Sequence, residues 1–438
     1  MRNRQAEPLP VFDVVGGARL SGTVTLSGGK NAAIPMAIGA LISDSGATLT
    51  SWPADLGDIV ALEAALLAAG ASLERRDGAL TITAPRSTRS ADSHAAALDA
   101  TTGALRSTPL LLTALLGRLG HGAVPLPGGC AIGERPIDVH LDCLRRLGAE
   151  VATVRRSLVA RAPNGLRGTR LSVAHASTTG TQVAVLGAVL ARGDSEITGA
   201  NLRPENRAFF SLLSALGATL AVDEGAATVH VRGGLCGDRG PVSMAVPPSV
   251  DDAVAWWVAG LMTGGAVTVT PGACFAPGPE VGLLASAGAQ CLVGDDGITL
   301  SGTSLTAFDV EVGAPPAIGS DLHPIFAALG TAAYGISTIV DRRFTRHAYA
   351  LEALSLGAHL AVQGPTVRIE GRSTRRPGDV TAPDLRGGMA LLLLALAAPG
   401  RSHVRRADRI ERGYGRRLVE TLVGLGADVQ RIPDVDAA

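Results

Sequence analysis

A short signature, an apolar residue followed by Gly-Ala at the close of a helical stretch, recurs six times, with its glycine at Gly70, Gly148, Gly217, Gly288, Gly357 and Gly426. The successive spacings are 78, 69, 71, 69 and 69 residues, too regular for an accident of Ala- and Gly-rich sequence. Glycine at that position fits the left-handed cap that ends a helix. After most copies a strand, a turn and a second strand can be read: Asp77-Gly78 precedes an apolar alternation at 80–82, Glu224-Gly225 one at 229–231, and Asp296-Gly297 one at 298–300. The chain is therefore expected to be α/β, built from six copies of a unit of roughly seventy residues, grouped three and three into two domains.

The grouping must respect two breaks. Residues 19–26 alternate as a half-buried strand ahead of the first helix, and the Pro-rich run Val246-Pro247-Pro248-Ser249 falls near the middle of the chain. One lobe of three units, with the loop around Cys130, is expected over residues 29–245, and the other over residues 1–28 and 246–438. A chain that crosses twice between lobes has a hinge there, and the cleft between lobes is the default ligand site.

Composition removes several function classes. Lys+Arg and Asp+Glu balance at 39 each and aromatic residues are 3%, so neither a basic field nor stacking platforms for nucleic acid are present. Five cysteines (Cys130, Cys143, Cys236, Cys274 and Cys291) lie far apart, without paired spacing or histidines at zinc spacing; they read as reduced thiols in a cytoplasmic protein with no metal site. Residues 1–10 lack the apolar core of a signal peptide, and the longest apolar run, 389–398, is too short to span a bilayer.

Three constellations carry candidate chemistry. Lys30 is the single lysine among 39 basic residues, which marks a position that needs a compact ammonium instead of a planar fork. It sits in Ser27-Gly28-Gly29-Lys30-Asn31, a glycine turn opening a helix, where free N–H groups and the dipole suit a phosphate or carboxylate; the Walker spacing is absent. The run from Leu126 through Pro127, Gly128, Gly129, Cys130, Ala131, Ile132, Gly133, Glu134 and Arg135 to Pro136 is too rich in glycine and proline for a helix or a central strand. Its thiol, five residues before a guanidinium, is placed where the cation favours the thiolate, and Pro136 suits the first position of the following helix. Finally, Arg106, Arg346, Arg386 and Arg412 each abut a turn at a predicted helix edge, where a guanidinium can grip an anion at two points.

These motifs together resemble the enolpyruvyl transferases: the Lys30 turn, the Cys130 loop with Arg135-Pro136-Ile137-Asp138-Val139-His140, Ser320-Asp321-Leu322, Asp384-Leu385-Arg386 and Arg412-Gly413-Tyr414 occur in order over essentially the whole chain. The resemblance implies a two-lobed inside-out α/β barrel of six α/β units. It implies transfer of the enolpyruvyl group of phosphoenolpyruvate to the 3-hydroxyl of UDP-N-acetylglucosamine, the first step towards bacterial cell-wall precursors, with release of phosphate and no metal or organic cofactor. Lys30, Arg135 and Arg412 would contact the phosphate and carboxylate of phosphoenolpyruvate, with Arg346 and Arg386 nearby. Asp321 would take a proton, and Cys130 would protonate the methylene or bind it covalently. Asn31, Arg106, Asp138 and Ser177 would face the acceptor. For Asp321 the bland alternative is a helix N-cap.

The departures cluster on the acceptor side. The basic lysine that typically precedes the serine at Ser177 is missing from His175-Ala176-Ser177, and Ser249-Val250-Asp251-Asp252-Ala253 replaces an Arg-Ile-Glu-Thr-Gly-like run. Phe344-Thr345 stand where an acidic residue and asparagine are usual, and Arg343 offers a register competing with Arg346. Two other readings stay open: transfer to another nucleotide such as UMP in a specialised antibiotic pathway, and a catalytically silent paralogue that binds a nucleotide sugar. Expected partners are small molecules only, neither nucleic acid nor membrane.

Overall fold

The computed structural model describes residues 9–84, 105–128, 132, 136–234, 240–275 and 278–434. Each of the six glycines has positive φ, from 83° at Gly357 to 107° at Gly217. In all six copies the next residue's N–H reaches back five positions: Ala71 to Leu66, Ala149 to Leu144, Ala218 to Leu213, Ala289 to Leu284, Ala358 to Ala353 and Ala427 to Leu422, at 2.9–3.1 Å. This bond satisfies a carbonyl that the helix end would leave orphaned, and it requires a left-handed residue that glycine adopts without steric cost. The repeat in the sequence is thus a repeated chain reversal, each turning a helix into a strand.

Among the described residues the strands form six sheets, five of them with four strands in a common order. The pattern is clearest in Thr219–Asp223, Thr228–Arg232, Asp194–Thr198 and Arg170–Ser172, where only the last pair is parallel. The strands Glu150–Val154, Ser157–Arg161 and His121–Pro125 make the remaining, three-stranded sheet. The sixth copy is completed by the other end of the chain: Pro10–Gly16 runs antiparallel between Gly400–Arg405 and Asp428–Pro433.

The chain divides into two compact units, one containing Met1–Leu26 and Val250–Ala438, the other Ser27–Gly129 and Arg135–Ser249. The strand ahead of each crossing pairs within its own unit. Gly22–Thr25 lies parallel to Ala266–Thr270 in the first unit, and Val242–Ala245 parallel to Ala47–Thr50 in the second.

Each unit has its own apolar core. In the first, the helices Val250–Thr263, His323–Gly330 and Leu385–Ala397 pack on one another; in the second, Thr108–Leu119 packs on Lys30–Gly39 and Thr178–Leu190. Away from their ends these helices are largely apolar on all sides, the pattern of a helix packed in a core. Leu385–Ala397 buries every residue, and each such leucine contributes roughly 1.5–3 kcal/mol. Close approach demands small residues: a Cβ on Gly388 would lie 2.7 Å from Ile410. The sheets lie outside the helices, with hairpin strands such as Gln290–Val293 exposed along their length. No helix among the described residues is long and apolar enough to cross a membrane.

Candidate active site

In the first unit, the N-terminus of Leu385–Ala397 sets Arg386. Asp384 caps that helix, its Oδ1 accepting from the N–H groups of Arg386 (3.0 Å) and Gly387 (3.2 Å). The Arg386 guanidinium, 3% exposed, donates to Asp252 at 2.8 Å and lies 3.3 Å from Asp251, both in the first turn of Val250–Thr263. It also donates to the Tyr414 hydroxyl at 2.7 Å, with Cζ 5.1 Å from that ring's centroid. Burial alone would lower the pKa of Arg386, but Tyr414, Asp252, Asp251 and Asp321 outweigh it and hold the group well above its usual value. Burial pushes the Tyr414 phenol the other way from a phenolate, keeping it protonated.

Asp321 stands in the 3-10 turn Ser320–Leu322 that enters His323–Gly330. The N-cap of that helix is Leu322, with no side-chain cap bond, so the capping alternative for Asp321 does not hold. Its carboxylate lies 2.9 Å from Arg346 and 3.6 Å from Nε of Arg386. The two guanidinium groups are 6% and 3% exposed, whereas Asp321 is 32% exposed. The carboxylate is the part of this triad that a solute can reach. Arg343 instead stacks on Phe344, 5.1 Å from its centroid. Arg412 is half-buried in the last turn of Ala407–Tyr414.

In the second unit, Lys30 begins Lys30–Gly39 and its Nζ lies 2.7 Å from Asp58, with the side chains 12% and 10% exposed. The two glycines before it do not offer the free N–H groups expected from the sequence. Gly28 N–H donates to Ser51 and Gly29 N–H to Pro247. A Cβ on Gly28 would meet Val246 at 2.5 Å, so the glycines serve close packing, not an anion. Asn31 is half-buried beside Lys30. Asp138 is exposed at the first position of Asp138–Arg146, whose N-cap is Ile137; the helix starts two residues later than Pro136 predicted. Arg106 donates to the Pro136 carbonyl at 3.3 Å.

Ser177 caps Thr178–Leu190 by accepting from Gly180 N–H at 3.2 Å. Just before it, His175 and Ala176 both have positive φ, 57° and 42°, a cost of about 1–3 kcal/mol each that persists only when neighbours over-determine it. A buried network does so: Asn201 donates to the Ala176 carbonyl (2.9 Å) and Thr178 hydroxyl (3.2 Å), Asn206 to the Asn201 carbonyl (2.8 Å), and Gln182 to Asn206 (2.7 Å).

Cys130 and Arg135 lie outside the described residues, as does Cys236. Among the described thiols, Cys143 is buried and desolvation pushes it up to about 11, while desolvation also raises Cys274 and Cys291. The sequence reading missed Asp58, Asn201 and the Asp251–Asp252 grip on Arg386. The one signal for the last was an acidic pair at the head of an otherwise apolar helix, since buried carboxylates need cationic partners.

Residues 14–422 match the family model described as EPSP synthase (3-phosphoshikimate 1-carboxyvinyltransferase). The chain belongs to this family. It is an enolpyruvyl transferase, with that family's inside-out α/β fold. A UDP-N-acetylglucosamine 1-carboxyvinyltransferase 2 of Mesorhizobium japonicum is 35% identical over 423 residues, 96% of this chain and 98% of the relative. The crystal structure of the enolpyruvyl transferase NikO from Streptomyces tendae superposes with a TM-score of 0.85 at 26% identity, covering 98% of this chain and 100% of that one. An EPSP synthase from Acinetobacter baumannii, at 17% identity and a TM-score of 0.73 over 97% of this chain and 100% of its own, shares the fold.

Proposed function

We propose that the protein transfers the enolpyruvyl group of phosphoenolpyruvate to the 3-hydroxyl of UDP-N-acetylglucosamine. The observation that carries the reading is the open Asp321 carboxylate held against two buried guanidinium groups. The acceptor oxygen attacks C2 of phosphoenolpyruvate as C3 gains a proton; C3 then loses a proton and the C–O bond to phosphate breaks. Asp321 needs only hydrogen-bond reach to the hydroxyl whose proton it takes. Cys130 is assigned to the methylene carbon. Two anionic groups must be held still, which preorganised cations do without reorganising in the transition state. Lys30, Arg135, Arg346 and Arg412 take that role.

Arg346 is preferred over Arg343, because Arg346 faces Asp321 and Arg343 faces a phenyl ring. Arg386 already donates to Asp252 and Tyr414, so its task is to orient and charge-balance Asp321. Asn31, Arg106, Asp138 and Ser177 are assigned to the acceptor.

A second acceptor, a nucleotide such as UMP, is favoured by one observation. The turn before Ser177 carries an exposed histidine and a strained alanine instead of a lysine, braced by its own buried amide network. Purified protein with phosphoenolpyruvate should release phosphate with UDP-N-acetylglucosamine on the first reading and only with UMP on the second. Release with neither refutes both.

A further inference from the structure

A group of buried polar side chains beside the Asp321–Arg346 pair has no part in the chemistry above. Asp321 belongs to the turn Ser320–Leu322, and Arg346 to the loop after the strand Ile336–Asp341. Asp341 joins these two segments. Its Oδ1 accepts from the N–H groups of Arg343 (2.9 Å) and Phe344 (3.1 Å) in the loop, and from the hydroxyl of Ser320 in the turn (3.4 Å). Its Oδ2 faces Nδ1 of His323 at 3.8 Å. His323 in turn packs on His347, with centroids 5.4 Å apart, and edge-on to Tyr349 at 5.9 Å. Ser320, which precedes Asp321, and His323, two residues beyond it, therefore both touch the segment that carries Arg346.

Asp341 is 2% and His323 0% exposed. A carboxylate this deep costs free energy unless it is bonded, and desolvation would raise its pKa. The facing His323 imidazole and the bonds from the two amides more than offset that and lower it. Since 3.8 Å is longer than a hydrogen bond, the amides carry most of the effect. Asp341 is thus a fixed anion whose bonds run to both sides of the reacting pair, and neither side can shift without breaking one.

We infer that Asp341 is a positioning residue, which sets the turn bearing Asp321 against the loop bearing Arg346 and so fixes the 2.9 Å contact between them, with His323 bracing the same junction. The inference rests on the roles given above to Asp321 and Arg346.

The test is a double-mutant cycle on kcat for phosphate release, with UDP-N-acetylglucosamine and UMP each tried as acceptor. Asp341→Ala should lower kcat roughly ten- to hundredfold, the scale of a misplacement of about 1 Å in a reacting group. Asp341→Asn, which keeps an acceptor for the two amides, should recover most of it. In an Asp321→Asn background the same Asp341→Ala change should cost less than about twofold, because residues acting through one contact are not additive. A loss of equal size in both backgrounds overturns the inference, since a merely structural defect adds. Ser320→Ala, which removes one hydroxyl, supplies the cycle if Asp341→Ala does not fold. A wild type silent with both acceptors overturns the underlying reading, and the inference with it.

Discussion

Replacing Asp321 by asparagine keeps the side chain's size and an acceptor oxygen while removing its charge and its capacity to take a proton. Its ion pair with Arg346 is 2.9 Å long but the carboxylate is 32% exposed, and a pair that open stabilises the fold by about 1 kcal/mol or less. Loss of a general base costs about 10²–10⁴ in rate, equal to roughly 3–5 kcal/mol of barrier at about 1.36 kcal/mol per tenfold. Catalysis should therefore suffer several times more than stability. Phosphate release at saturating phosphoenolpyruvate and acceptor, measured beside the urea midpoint of the same preparation, separates the two. A kcat within threefold of wild type, with only the KM for phosphoenolpyruvate raised, would refute the base assignment and leave Asp321 as a trim on the charge of Arg346.

Other substitutions probe the neighbouring groups. Lys30→Arg should raise the KM for phosphoenolpyruvate roughly tenfold, because a planar fork cannot replace an ammonium seated against Asp58; an unchanged KM would make the lone lysine incidental. Arg386→Ala strips the guanidinium from Asp251 and Asp252, 14% and 17% exposed, and should cost about 3–5 kcal/mol in denaturant unfolding. Adding Asp252→Asn should return part of it, and a double variant no more stable than the single one contradicts the clamp. Acid should weaken the fold in two windows. Burial, then the charge of His323, lowers the His347 pKa, so the unfolded chain binds a proton that the folded chain refuses, and stability falls below about pH 6.5. Asp341 has a lowered pKa, so its stabilising contribution is present above about pH 4 and lost as pH falls further. Urea midpoints for wild type and His347→Gln should diverge between about pH 8 and pH 5, with the variant flatter; parallel curves exclude His347 as the cause.

The fold was legible where a local rule repeats. Gly-Ala at a helix end is a complete instruction, since the glycine supplies the left-handed residue and the next N–H closes the cap. Six copies of it therefore announce six helix-to-strand reversals before any contact is known. Pairing over distance was not legible. Nothing around Val11 or Phe12 says that this strand will lie against Val404 and Arg431, because an alternating strand specifies its faces and not its neighbours.

The same division runs through the candidate site. Residue types could be picked out singly: one lysine among arginines, one aspartate after a serine, arginines at helix edges. Their electrostatic states could not, because each is set by a partner far away in sequence. Arg386 and Asp252 are 134 positions apart, and without that bond Arg386 reads as another anion-binding arginine. The glycines before Lys30 mislead for the same reason: an N–H is free only if no distant carbonyl takes it, and Ser51 and Pro247 do. Arg346 and Arg343 differ little as letters. What separates them is that Asp341 ties down the backbone of Arg343 while the chain beyond turns Arg346 inwards to Asp321. In this chain the half-buried Asp251 and Asp252 and the buried Asp341 decide which arginines remain available to a substrate, so a census of cations alone misassigns them.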